Sequence, residues 1–409
     1  MPRIIVPMLP EEMILEILYR LPVEPLVRLR CVCKAWHQII ATPSFAKTHI
    51  SYQTPSTSNK YLYEDDNMCT LFTDIDPLFD GSKHSKLFYT PESFATDVTC
   101  NNCFVRIHGV CNGLICLSCD CYSNPGQNIY LWNPICRKFK RLPQLGPSME
   151  NDSFFRLNAG VSFGCDGDDY KVIVIAQVDE SYVVSVYSLT TNSWKYIKTS
   201  FYSQAASDES FFRDTKFVDG TAYMTTSSRV VVCFELINET IRVIEFPKEF
   251  SENTGVTMEA YGETIALLRH EKSYLTLWIL RNKSSWEKKL SIELQEASPY
   301  HQAVGFLNNG KYMVRTLSLV GELRVVTKLY TCNLEMECPT LTEFRSYTQL
   351  RSRNRLPPKY SNFMGRIHSN YSGSLLLFNE DSVDPFVQTE ETESSCNSML
   401  FTLQWDLKE

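Results

Sequence analysis

The sequence predicts an α+β chain in which a small three-helix unit at the N-terminus precedes an all-β propeller of about six blades. Apolar residues recur at helical spacing over several turns only in residues 9–50. From about residue 104 onward, short β-type runs are broken by turn residues every 8–12 positions or so. Within those runs one plan repeats at close to 50 residues, the period of propeller blades.

The helical part comes first. Met13, Ile14, Ile17, Leu18 and Leu21 fall on one side of a helix, with Glu11, Glu12, Glu16, Tyr19 and Arg20 mostly opposite. Pro10 suits a first helical position, and the glutamates beside it complement the positive end of the helix dipole. Pro22 stops that helix, a second carries Leu26, Leu29 and Val32, and a third carries Trp36, Ile39 and Ile40 until Pro43 ends it. Helices this few and short cannot enclose a core, so part of their apolar surface is expected to seek a partner. Fully burying one Leu or Ile contributes about 1.5–3 kcal/mol, so even five such residues offset an association cost of about 4–15 kcal/mol.

Residues 51–100 read as a linker and lead-in to the β domain, with Pro55, Ser56, Thr57, Ser58 and Asn59 together and an acidic Glu64, Asp65, Asp66. The expected domains are therefore 1–50, helical; 51–100, linker; and 101–409, all-β. In the last, five hairpins each place an aromatic strand before a polar turn and a second strand. Their aromatics Trp132, Tyr187, Phe234, Trp278 and Tyr330 are spaced by 55, 47, 44 and 52 residues. An apolar strand lies ahead of each hairpin, with a sixth at 373–379. A strand from 86–95 or from 398–405 is expected to close the ring, since a propeller must remove its open edges. A distorted two-sheet sandwich is the alternative architecture.

The N-terminal pattern is specific. Leu9-Pro10-Glu11-Glu12, then Ile14, Ile17, Leu18, Leu21-Pro22, then Leu29 and Cys31-Val32-Cys33-Lys34-Ala35-Trp36, resembles an F-box over about 40 residues. The stretches 111–117, 131–134, 160–175 and 186–197 are similar to the kelch-type F-box-associated domains of plant F-box proteins, a family related to S-locus F-box proteins. Unlike kelch blades, the chain has no adjacent pair among its 16 glycines.

This resemblance implies a non-catalytic substrate-recognition subunit of an SCF-type cullin-RING ubiquitin ligase. It would bind a Skp-type adaptor, and through it cullin and a RING protein, while the β domain holds an unidentified protein substrate. Adaptor binding is expected at Leu9, Pro10, Ile14, Ile17, Leu18, Leu21, Pro22, Leu26, Leu29, Val32 and Trp36. Target binding is expected at one propeller rim, at 119–128, 177–183, 225–229, 269–274 and 315–323. Pollen-side self-incompatibility, with a ribonuclease as target, is an alternative that the same resemblance carries.

Composition excludes other classes. With 44% hydrophobic and 21% charged residues the chain has material for a substantial core, and a net charge of −7 argues against broad attraction to nucleic acid or anionic membrane. No apolar run reaches about 18 residues, and the apolar start is too short for a secretory signal, so the cytoplasm or nucleus is the expected location. There the 15 cysteines read as reduced, mostly packed thiols. A zinc-containing interaction module is the sharpest rival, because Cys100 and Cys103, and Cys116 and Cys119, form two Cys-x2-Cys pairs with Cys121 nearby. Against it, Cys116 falls inside an apolar strand, so no metal or other cofactor is expected. The histidines 37, 49, 84, 108, 270, 301 and 368 are dispersed, and no nucleophile elbow or phosphate-binding loop accompanies them. Asp166, Asp168 and Asp169 could bind calcium but read more simply as a solvated turn, and 388–398 reads as a disordered loop.

Overall fold

In the computed structural model, the described residues are 9–52, 61–65, 68–72, 86–88, 104–120, 128–136, 138–145, 159–178, 181–202, 212–250, 255–270, 274–293, 300–306, 311–320, 324–333, 341–350, 366–368 and 375. Four helices come first: α1 (Glu11–Arg20), α2 (Val23–Leu29), α3 (Lys34–Ile40) and α4 (Pro43–Tyr52). The third helix ends where expected, but Pro43 opens a fourth. Thr42 explains the difference, because its Oγ1 accepts a hydrogen bond from the Phe45 backbone N–H at 3.2 Å, so that Thr42 caps α4 and Pro43 takes its first helical position.

The strands form six four-stranded antiparallel sheets. The first three strands are β1 (Tyr61–Asp65), β2 (Met68–Phe72) and β3 (Lys86–Phe88). Blade two is β4 (Phe104–Cys111), β5 (Leu114–Asp120), β6 (Asn128–Asn133) and β7 (Lys138–Arg141). Blade three is β8 (Ala159–Asp166), β9 (Asp169–Val178), β10 (Ser181–Ser188) and β11 (Ser193–Tyr202). Blade four is β12 (Phe212–Val218), β13 (Thr221–Thr226), β14 (Val230–Glu235) and β15 (Thr240–Glu245). Blade five is β16 (Gly255–Tyr261), β17 (Thr264–His270), β18 (Tyr274–Arg281) and β19 (Ser285–Glu293). Blade six is β20 (Tyr300–Phe306), β21 (Lys311–Val320), β22 (Arg324–Asn333) and β23 (Leu341–Leu350).

The described closing pair lies at residues 366–368 and not at 86–95. β24 (Arg366–His368) pairs with β1 through Leu62↔His368, Tyr63↔Ile367 and Glu64↔Arg366, so blade one joins the two ends of the β domain. Lys86–Phe88 belongs to that blade as its outer strand, while residues 398–405 lie outside those described. The span 51–100 thus contributes three strands to the ring. Six four-stranded sheets arranged in chain order are a propeller and leave no place for a two-sheet sandwich.

The repeating aromatics Trp132, Tyr187, Phe234, Trp278 and Tyr330 all lie on the third strand of their blades, and the apolar runs ahead of them are the second strands. These strands are buried on both sides because each blade is sandwiched by its neighbours. On β9, Val172, Val174 and Ala176 join the cluster toward blade two, while Ile173 and Ile175 join the cluster toward blade four. On β17, Ile265 and Leu267 pack toward blade four, and Ala266 and Leu268 pack in the cluster that includes Tyr312 of blade six.

Blades also meet closely at their inner strands. A Cβ at Gly164 on β8 would lie 2.0 Å from Cδ1 and 2.6 Å from Cγ of Phe217 on β12, a ring held in the cluster between blades three and four. Gly164→Ala is therefore expected to cost about 1–3 kcal/mol through overpacking. The check is a lower urea midpoint with an unchanged slope; an unmoved midpoint would show that the blades can part freely there.

Candidate docking surface

The helical unit is built on its own small core. Leu18, Val23, Leu26, Ile40, Phe45 and Ala46 are buried together. Phe45 stacks on Tyr19 with ring centroids 4.7 Å apart, and Tyr19 stacks on Tyr52 at 5.2 Å. Local chemistry fixes the helix ends. Pro10 stands at the N-cap of α1, one place before the first helical position, with Glu11 and Glu12 in the first turn. Glu16 pairs with Arg20 at 2.5 Å, acid before base at i,i+4. The Cys33 sulfur accepts the Trp36 backbone N–H at 3.4 Å, which caps α3.

His49 ties α4 to the end of α1: its Nε2–H donates to the Leu21 carbonyl at 2.8 Å. Burial lowers its pKa below the usual 6.5, and the bond to Leu21 only partly opposes this. The folded state therefore binds a proton less readily than the unfolded chain. Stability from neutral His49 is fully present above about pH 6.5 and is lost as pH falls from there toward the lowered folded value. The expected outcome is a helical unit whose melting temperature drops between pH 7 and pH 5, with a smaller drop in His49→Gln; equal pH profiles would contradict this role.

The expected adaptor-binding residues divide into three groups. Leu9, Ile17 and Val32 stand in solvent at 51%, 49% and 62% exposure, with Pro10 and Pro22 also exposed. Ile14, Leu21, Leu29 and Trp36 are half-buried against the core. Leu18 and Leu26 are wholly buried within it and present no surface to a partner, because α4, unforeseen in the sequence, covers that side together with Leu375. Conversely Met13, 52% exposed and one turn before Ile17, belongs to the outer strip of α1. Its signal was the i,i+4 spacing with Ile17. Helix α1 is thus apolar on two sides, one facing its own core and one facing outward.

A different side of the unit is fastened to the propeller. Leu375 is buried in the helical core, and Ile135 and Cys136 pack against it. Burial pushes the Cys136 thiol up to about 11 against the pull of Arg30 and Lys138. Lys47 pairs with Asp168 at 3.3 Å. Every one of these β-domain contacts lies on one face. Strands run from inner to outer in chain order within a blade, so first-to-second and third-to-fourth turns share one rim, and second-to-third turns share the other. Ile135 and Cys136 follow the third strand of blade two, Asp168 joins the first two strands of blade three, and Leu375 follows inner strand β24. The five spans expected to bind a target each fall between the second and third strands of a blade, whose described ends are at the opposite rim; residues 121–127, 179–180, 271–273 and 321–323 of those spans lie outside the described residues.

Cys116 is fully buried, and burial holds its thiol well above the ordinary range; Cys119 lies on the same strand, and Cys100, Cys103 and Cys121 are outside the described residues. Among the described residues no three His, Cys, Asp or Glu side chains gather in a way that could hold a metal ion. The Asp169 carboxylate, raised by burial but more strongly lowered by its partners to about 2, accepts from Lys171, the Ser188 hydroxyl and the Thr190 N–H. His37 and His49 stay in the helical unit while His108 and His270 sit on separate blades. The span 388–398 is outside the described residues. Among the described residues, no helix is long and apolar enough to cross a membrane.

Comparison with known families matches the F-box domain at residues 6–48 and the F-box associated beta propeller domain at residues 63–335. A putative F-box protein of Arabidopsis thaliana is 27% identical over 324 residues, covering 74% of this chain and 78% of that protein. An F-box/kelch-repeat protein of the same plant is 26% identical over 309 residues, covering 69% and 79%. With a four-helix N-terminal unit and a six-bladed ring both accounted for, the chain belongs to the F-box proteins that carry an F-box-associated β-propeller.

Proposed function

We propose that this chain is the substrate-recognition subunit of an SCF-type ubiquitin ligase, working in the cytoplasm or nucleus. The observation that carries the reading is the outward strip of α1. Leu9, Met13 and Ile17 stand about half exposed on a family-defining F-box whose other side is already committed to its own core and to the propeller. Isolated apolar residues on a surface need no explanation, but Met13 and Ile17 one turn apart on a short helix, with Leu9 just before its N-cap, make a groove-binding edge. A Skp-type adaptor supplies the groove, and cullin and a RING protein follow through it. The chain positions a target; another subunit catalyses the transfer. The rim away from the F-box is the place for that target, since only there does it avoid the adaptor's side.

The test mixes purified full-length chain with a Skp-type adaptor and cullin and measures complex formation by size-exclusion chromatography. A stoichiometric complex at micromolar concentration is the expected result, and its absence overturns the reading. In cells, the Ile17→Asp chain keeps its target rim but loses the ligase, so bound targets accumulate on it relative to the parent.

A further inference from the structure

The rim beside the F-box also carries a pair of thiols that docking does not use. Cys111 ends β4 and Cys165 is the last residue but one of β8, the inner strands of blades two and three. Inner strands of neighbouring blades run the same way, and the register of these two is set just upstream. A Cβ on Gly109 would lie 2.9 Å from the Phe163 carbonyl oxygen and 3.2 Å from the Phe163 Cβ. Two residues further along each strand, on the same side of each, Cys111 faces Cys165. Their thiols are hydrogen-bonded, Cys111 donating to the Cys165 sulfur, and both are free and half-buried. The Asn112 side-chain amide adds a second donor, 3.9 Å from the same sulfur. Blades four and five carry Val218 and Tyr261 at the place of Cys111, and Phe217 and Ala260 at the place of Cys165, so neither has a thiol at either position.

We propose that Cys111 and Cys165 form a redox-active dithiol that closes into a disulfide between blades two and three when the protein meets a hydroperoxide. Donation from Cys111 brings the Cys165 thiol down to about 7, with burial and Asp166 opposing, so at neutral pH a large share is thiolate, the reactive form. The bond to Cys165, together with burial, keeps Cys111 protonated. The Cys165 thiolate attacks hydrogen peroxide, the O–O bond breaks, and Cys165 becomes a sulfenic acid while hydroxide leaves and is protonated to water. The Cys111 sulfur then attacks that sulfur; the S–S bond forms, the S–OH bond breaks, and hydroxide departs with the Cys111 proton as a second water. Two thiols lose two electrons and two protons, and one peroxide is reduced. Asp168, three residues beyond Cys165, pairs with Lys47 of the F-box, so the covalent tie forms beneath the F-box attachment.

The test exposes reduced full-length protein to hydrogen peroxide, alkylates the remaining thiols and maps unreduced peptides by mass spectrometry. The expected product joins the Cys111 peptide to the Cys165 peptide and is released by dithiothreitol. Before oxidation, alkylation of Cys165 should be about tenfold faster at pH 8 than at pH 6, the ratio of thiolate for a group near 7. The titratable groups facing it are Cys111 from β4, Asp166 from its own hairpin and Tyr170 from β9. In Cys111→Ser, which keeps an O–H donor but cannot form the S–S bond, oxidation should stop at a sulfenic acid that dimedone traps. Any one of three results in the unaltered protein overturns the proposal: both thiols still open to alkylation, Cys165 joined to another cysteine, or Cys165 driven to sulfinic acid beside an intact Cys111 thiol.

Discussion

Ile17→Asp is expected to abolish capture of a Skp-type adaptor while shifting the melting temperature by no more than about 2 °C. Ile17 is 49% exposed and faces away from the core, so in the isolated chain a carboxylate there is simply hydrated. In the complex the same carboxylate would be held in an apolar groove. Losing the burial of the exposed half of the side chain costs about 1 kcal/mol, and stripping water from an unpaired charge costs several kcal/mol more. A total near 3 kcal/mol or above is a loss of more than about a hundredfold in affinity. Titration of the adaptor against both proteins by calorimetry decides it; binding within threefold of the parent would move the interface elsewhere.

Phe45→Ala should do the opposite, weakening the fold first and binding as a result. Phe45 is buried in the centre of the helical core, stacked on Tyr19 and, at 6.1 Å, on His49. Removing a buried phenyl ring costs about 3–5 kcal/mol, most of what so small a unit has to spend. The helical unit should then be cut by a protease under conditions where the parent resists, with the propeller fragment left intact. A protease-resistant variant would mean that the propeller contacts through Leu375 and Ile135 hold the helices without their own core.

Much of the ring could be read in advance because each blade repeats one local pattern. Trp132, Tyr187, Phe234, Trp278 and Tyr330 fall at one place in successive hairpins, and second strands carry unbroken apolar runs such as 172–176. An antiparallel strand usually alternates apolar and polar residues, and this one does not because Val172 and Ile173 both find a neighbouring blade. Blade one was not legible for the converse reason. Its strands are short and carry Glu64, Asp65 and Lys86, and the partner of Leu62 is His368, so the pairing leaves no local period to detect.

In the helical unit the pattern marked the first three helices but not the direction in which each side chain faces. Helical spacing groups Ile17 with Leu18, and only the presence of α4 assigns Leu18 to the interior. That helix was hidden in an ambiguity of proline, which ends one helix and begins another with equal ease; the preceding Thr42 is the residue that decides between them.

Because residues 366–368 complete blade one and Leu375 completes the packing under the F-box, both the first blade and the helical core stay unfinished during synthesis until the chain has passed residue 375. A product cut short before residue 366 would keep α1 yet leave β1 with a raw sheet margin, a mark for chaperones and proteases.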